Sequence, residues 1–338
     1  MGEPTAKRVL VVGAGAVGQV YGRHLALGGA DVTFFVREKY VAELSGGMTF
    51  YPLHDGDAPV RFEGYHLVTS PEAVRAGGFD QVWLCVSSSA LRGDWLGPLL
   101  AAAPDALVVA MVPTASDRMH IQRFVPGARL VQGLITFLSY ASPLPTETRD
   151  PAGTAYWFPP LVASAFDGPE AEVRELVHTL KAGGCPARRQ RGVSARASFG
   201  AALLIPQLAA METVGFSFAA FRADPDLVKR ASAAGEEALA VVSARLDHAI
   251  PFGMKCVNQP FAYRTATSLA PRLAPFDLEA YWAFHFGKVA DQTRLLLRDY
   301  ADDARRHGLP GDALAGLVEE LAALDRSERA AGPPAAHP

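Results

Sequence analysis

The strongest constraint on the fold lies near the N-terminus, where the β-rich run Val9-Leu10-Val11-Val12 enters Gly13-Ala14-Gly15-Ala16-Val17-Gly18 and continues into an amphipathic stretch reaching Leu27. A strand, a Gly-x-Gly-x-x-Gly turn and a helix in that order open a β-α-β unit. Each glycine has its own reason to be there: Gly13 permits a tight turn, Gly15 lets a ligand approach the backbone, and Gly18 lets the helix close onto the strand. The amides at the helix start then offer hydrogen bonds and a partial positive charge to phosphate oxygens. Gly13, Ala14, Gly15, Ala16, Val17 and Gly18 are therefore read as the pyrophosphate cradle of a nicotinamide dinucleotide.

Further short β-rich runs follow at 31–36, 81–86, 106–112 and 129–138, separated by helix-like stretches at 88–103 and 116–124. Alternation of this kind assembles a parallel sheet, so the first half is expected to be an α/β domain of Rossmann type. The aromatic and β-branched runs at 48–51, 60–68 and 155–165 are expected to add short strands at its edge or end. After Gly168 the character changes. Residues 169–182 read as a helix with proline in its first turn, and from Ser194 onward only helical periodicity remains, broken into four or five helices at prolines and glycines. The expected division is a dinucleotide-binding domain over 7–168, an all-helical substrate or dimerisation domain over 169–329, and a disordered tail over 330–338.

The end of the second run reads Phe35-Val36-Arg37-Glu38-Lys39. An acidic residue at this tip would accept from the ribose hydroxyls of NAD, whereas a guanidinium suits a 2′-phosphate. With Arg37 at the tip and Lys39 close behind, NADP(H) is expected over NAD(H), although Glu38 is available to turn toward a ribose. Ser87, at the end of the third main run, and Thr114, after the fourth, sit where ligands of open α/β sheets bind and join the cofactor candidates. Thr114 and Ser116 are equally suited to capping the next helix.

Composition narrows the partners. Hydrophobic residues make up 49% of the 338 and charged residues 20%, the balance of a folded globular protein. A net charge of -3 gives no long-range attraction for nucleic acid or anionic membranes, so the expected partner is a small-molecule substrate. Three widely spaced cysteines, Cys85, Cys185 and Cys256, suggest neither disulfides nor a metal site. With a short polar start and no stretch near ~20 continuous apolar residues, a cytoplasmic protein is expected. An apolar helical second half is compatible with a homodimer.

The glycine fingerprint followed by Gln19, the second strand ending in Arg37, the β-α-β order, and the closing Arg305-Arg306-His307-Gly308-Leu309-Pro310 together resemble the ketopantoate reductase (2-dehydropantoate 2-reductase) family over nearly the whole chain. The resemblance implies an NADPH-dependent reductase with a helical C-terminal domain. It does not carry over the catalytic residues. Where the family has a lysine and asparagines on the first long C-terminal helix, this chain has Arg196-Ala197-Ser198, Ala201 and Ile205-Pro206. The family's glutamate position falls on Gln292 or its neighbour Asp291, its Asn-Gly on Pro113-Thr114, and its lysine after the fourth strand on Ser87. Four departures in one site argue against ketopantoate as substrate.

Another proton donor is then needed. Tyr281, His285, Lys288 and Gln292 follow at helical spacing within 278–306, read as one helix, and would form a polar stripe among Trp282, Phe284, Phe286 and Val289. His285 and Lys288 are the catalytic candidates, against the reading that they lie on a solvated face. Glu212, Lys255, Asn258 and Tyr263 are further polar candidates with ordinary structural readings. The expected function is NADPH-dependent reduction of a small 2-keto acid-like carbonyl or an imine. The alternatives are a dinucleotide-binding sensor or scaffold without turnover, and an opine-type dehydrogenase, whose His and Asp pair is not evident.

Overall fold

A computed structural model describes residues 6–56 and 58–331. The tail expected at 330–338 lies outside these from residue 332 on. The chain divides into two compact units, one ending at Ala197 and the other beginning at Ser198.

Among the described residues the first unit contains twelve strands: β1 (Arg8–Val12), β2 (Asp31–Phe35), β3 (Met48–Pro52), β4 (Val60–Phe62), β5 (His66–Val68), β6 (Gln81–Leu84), β7 (Leu107–Ala110), β8 (Leu130–Leu134), β9 (Leu138–Ser142), β10 (Gly153–Trp157), β11 (Ser164–Asp167) and β12 (Ala187–Arg189). Eight of them build one sheet in the order β12-β11-β8-β7-β6-β1-β2-β5. Its pairings are parallel except that of β11 with β8. The helices α1 (Ala16–Leu27), α2 (Val41–Leu44), α3 (Pro71–Gly77), α4 (Ser88–Leu91), α5 (Leu96–Ala102), α6 (Ala115–Gln122) and α7 (Glu170–Ala182) connect the strands. Alternate residues of the central strands feed two cores, Val9, Val11 and Trp83 on one face and Leu10, Val12 and Leu84 on the other. Burying each of these side chains contributes about 1.5–3 kcal/mol, so both faces must be covered for the sheet to persist.

The aromatic runs do more than extend the edge of this sheet. β4, β3, β10 and β9 form a separate four-stranded sheet. The runs at 60–68, 129–138 and 155–165 each divide between the two sheets. Glu63-Gly64 separates β4 from β5, and Pro159-Pro160 separates β10 from β11. Between β8 and β9 there is no breaker, and the chain leaves one sheet for the other at Ile135-Thr136-Phe137, where the Phe137 ring is buried against Tyr21. The stretch 88–103 is likewise two helices, α4 and α5, parted around Gly93.

The first unit also runs past the boundary expected at Gly168. α7 lies against α1, and β12 pairs with β11, so both belong with the sheet. The long helix α8 (Val193–Glu212) crosses the division between the units and carries Pro206 inside it. Although polar residues such as Arg196 and Gln207 interrupt it, α8 is long and apolar enough to cross a membrane by length and composition, and 61% of its most apolar window is buried within the structure, as in a core helix of a folded protein.

The second unit is helical: α9 (Phe218–Ala223), α10 (Pro225–Leu246), α11 (Met254–Val257), α12 (Pro260–Leu273), α13 (Leu278–Lys288), α14 (Ala290–Arg306) and α15 (Asp312–Ala331). α10 begins in Asp224-Pro225, whose carboxylate accepts from the amides of Asp226 and Leu227 at 3.0 and 2.9 Å. The single helix expected over 278–306 is two, α13 and α14, because Val289 leaves helical geometry at φ -115° and ψ 26°.

Candidate dinucleotide site

The glycine turn joins β1 to α1. Gly13 sits at φ 95°, and a Cβ there would lie 2.8 Å from the Cys85 carbonyl oxygen and 2.9 Å from Val86 Cγ1. At Gly18 a Cβ would fall 2.0 Å from the Gly13 carbonyl oxygen, so only glycine lets the first turn of α1 rest on the loop. Gly15 is different. It is the residue before α1, no side chain caps the helix there, and a Cβ built on it meets nothing within 4 Å. The first-turn amides of α1 thus have open space beside them, as a pyrophosphate requires. Ala16 and Val17 lie in this first turn and Ala14 in the loop. The loop is braced by Gln19, whose Nε2 donates to the Ala14 carbonyl at 2.8 Å while its Oε1 accepts from Thr154 Oγ1 at 2.6 Å. Thr154 stands on β10, 135 residues away, and nothing local to the glycine motif signals it.

Arg37, Glu38, Lys39 and Tyr40 are all exposed where β2 ends. Arg37 Nη2 donates to the Tyr40 hydroxyl at 2.9 Å, and the Arg37 and Lys39 cations lie 5.1 and 5.0 Å from the Tyr40 ring centre. Two positive charges are thereby gathered at one aromatic ring, an arrangement that favours a dianionic phosphate. Tyr40 was not singled out from sequence, although the run Arg-Glu-Lys-Tyr carried the signal.

Ser87 and Thr114 turn their hydroxyls to internal work. Ser87 Oγ accepts from the Ala90 amide at 3.2 Å, capping α4, and pairs with Ser89 Oγ at 3.0 Å. Thr114, rather than Ser116, caps α6: its Oγ1 accepts from the Asp117 amide at 3.2 Å and donates to Asp117 Oδ2 at 2.8 Å. Asp117 is fully buried. It also accepts from Ser88 Oγ at 2.8 Å and forms an ion pair with Arg92, which in turn donates to the Ser88 carbonyl at 2.8 Å. One carboxylate therefore locks the loop after β6 to the loop after β7, beside β1 at the centre of the sheet. Sequence reading missed Asp117, since its partners lie 25 and 29 residues away.

In the helical unit the break at Val289 takes Gln292 onto α14 and ends the stripe begun on α13. His285 stacks on the buried Tyr281 ring with centroids 5.1 Å apart. Burial, with repulsion from Lys288, pulls its pKa down to about 4, so His285 is a neutral imidazole at pH 7. Lys288 is exposed. Glu212 pairs with Arg294 at 2.8 Å, and Arg294 also pairs with Asp325, so Glu212 is a satisfied structural carboxylate. Asn258 and Tyr263 are bound to each other at 2.5 Å, with Asn258 Nδ2 donating to the Ser232 carbonyl on α10 at 2.8 Å. Lys255 and Arg196 are exposed.

A largely parallel sheet, opened by a strand, a bare glycine turn and a helix and followed by an all-helical unit, defines a Rossmann-type fold with a helical C-terminal part. Residues 9–149 match the family model of ketopantoate reductase PanE/ApbA. The fold of the chain is that of several solved structures. D-mandelate dehydrogenase, solved with NADH and anilino(oxo)acetate, is 14% identical with a TM-score of 0.72, covering 95% of this chain and 98% of that one. A PanE/ApbA family ketopantoate reductase from Ralstonia eutropha JMP134 is 17% identical with a TM-score of 0.71, covering 95% and 99%. The 2-dehydropantoate 2-reductase from Methylococcus capsulatus is 16% identical with a TM-score of 0.70, covering 95% and 97%. No curated protein matches the sequence.

Proposed function

We propose that this protein is an NADPH-dependent oxidoreductase that reduces a small 2-keto acid-like carbonyl or an imine, and that ketopantoate is not its substrate. The observation that carries the reading is the open space at Gly15, next to uncapped amides at the start of α1. Those amides would hold the pyrophosphate, and Arg37 and Lys39 would hold the 2′-phosphate that distinguishes NADPH from NADH. The bound dinucleotide would supply the hydride. The buried Asp117 clamp keeps the loops after β6 and β7 in fixed relation at the edge of that site, a positioning task for residues whose own hydroxyls are occupied.

The choice against ketopantoate rests on Arg196, Ala201, Ile205, Pro113 and Ser87 standing where the family's lysines and asparagines would be. D-mandelate dehydrogenase, solved with NADH and anilino(oxo)acetate, supports the idea that this fold serves other 2-keto acids. Of the two donor candidates, His285 is without the proton at neutral pH, which leaves Lys288 as the residue whose removal tests whether the helical unit supplies it. The test of function is oxidation of NADPH with a panel of 2-keto acids, alone and then with an amine. Reduction of a keto acid supports the reading, and a requirement for the amine assigns an imine substrate.

A second reading has its own support: Ser87 and Thr114 are committed to helix caps, and the family's catalytic positions are vacated. A dinucleotide-binding sensor would bind NADPH and oxidise it with none of these acceptors.

A further inference from the structure

The first unit has a cavity of about 480 Å³ that shares no residue with the glycine turn. Arg118 of α6, Gln132 of β8, Asp167 at the end of β11 and Ser194 at the start of α8 contribute to its lining. β8 and β11 are separated from β1 by β6 and β7, so this is a different part of the sheet from the dinucleotide cradle.

Gln132 is only 2% exposed, and its orientation is fixed by three acceptors. Nε2 donates to the carbonyls of Ala110, Val112 and Gly133 at 3.2, 2.9 and 3.1 Å, so the nitrogen cannot exchange places with the oxygen. Oε1 is consequently a buried acceptor with no donor. Such an atom costs stability until something donates to it. Arg118 is half-buried, and its guanidinium makes no hydrogen bond or ion pair among the described residues. The charge that faces it is Asp167, which is itself held in place by accepting from the Gly192 and Val193 amides at 2.7 and 3.4 Å.

The cavity therefore presents one cation with unused donors and one carboxylate, with the Gln132 amide oxygen enclosed behind its wall. We propose that it binds a free α-amino acid, with the ligand carboxylate on Arg118 and its ammonium on Asp167. A simple anion would satisfy Arg118 but stand against Asp167. A simple cation would meet Asp167 but stand against Arg118. A zwitterion matches both charges at once, and the volume is that of a small-ligand site. The inference does not depend on the dinucleotide reading.

Calorimetry on the full chain with L-alanine, L-serine and L-glutamate tests it, with acetate and methylamine as the two half-ligands. At least one amino acid is expected to bind, about tenfold or more tighter than either half-ligand. Arg118→Gln and Asp167→Asn should each weaken that binding by about tenfold or more while the variants remain folded by circular dichroism. Two variants on different walls keep the test valid if one fails to fold. The proposal is overturned if none of the three amino acids binds, if acetate binds as tightly as they do, or if both folded variants retain wild-type affinity.

Discussion

A Cβ at position 18 would sit 2.0 Å from the carbonyl oxygen of Gly13, closer than any real contact of that kind. The turn and the helix are thus fitted to each other through two residues without side chains. Gly18→Ala must push α1 away from the loop, at about 1–3 kcal/mol of stability, and should abolish NADPH binding along with it. Chemical denaturation and a fluorescence titration measure the two effects; a variant with wild-type stability and affinity would show the contact to be unimportant.

The proposed preference for NADPH should reside in the cations around Tyr40. Arg37→Ala is expected to lower NADPH affinity by about 10- to 100-fold, the worth of charge-assisted bonds to a phosphate, and to leave NADH affinity nearly unchanged. Parallel loss of both affinities would assign Arg37 to something other than the 2′-phosphate.

Asp117 accepts from Thr114, Ser88 and Arg92 at a position with no solvent exposure. Asp117→Ala leaves Arg92 without its buried partner and should cost about 3–5 kcal/mol. Urea unfolding reads this directly. A loss below about 1 kcal/mol, the scale of a surface pair, would mean that the two loops are held by other contacts.

Acid should weaken the first unit through His24. Its Nδ1 lies 2.7 Å from the Gly183 carbonyl, its Nε2 is buried without a partner, and burial, with repulsion from Arg23 and His54, pulls its pKa from 6.5 to about 4. Between those values the unfolded chain takes up a proton that the folded chain refuses. Stability is therefore fully present above pH 6.5 and falls as pH drops toward 4, by up to about 3 kcal/mol. His285 adds a slope of the same sign in the helical unit. Denaturation between pH 7.5 and 4.5 of wild type and His24→Leu isolates the His24 share: the variant should show the shallower pH dependence, and identical slopes would contradict the assignment.

If the helical unit supplies the proton, Lys288→Ala should lower kcat by about 100-fold or more with little change in NADPH affinity. Steady-state kinetics on whichever keto acid proves active decides it, and intact turnover removes Lys288 from consideration.

What could be read from sequence was local. The glycine turn, α1 and the central strands are encoded within windows of a dozen residues, and their expected positions match the structure closely. The second sheet was not legible, because β3 and β10 are joined across a hundred residues and no periodicity distinguishes a strand of one sheet from a strand of the other. The same holds for β12, whose pairing with β11 carries the first unit past Gly168, and for Asp117, an aspartate in a helix's first turn that reads as an ordinary helix-start residue. The break at Val289 was missed for the opposite reason: no proline or glycine occupies it, and the apolar pattern runs straight across it.

Gly15 offers the sharpest measurement. An aspartate there meets no atom within 4 Å at its Cβ, adopts an ordinary extended conformation, and is a favoured residue before a helix, so Gly15→Asp should fold with stability within about 0.5 kcal/mol of wild type or better. Its carboxylate would occupy the place of a phosphate. Calorimetric titration with NADPH should show binding to the wild-type chain and none to this variant; no binding to the wild type, or equal binding to both, would contradict the assignment of the turn as a dinucleotide cradle.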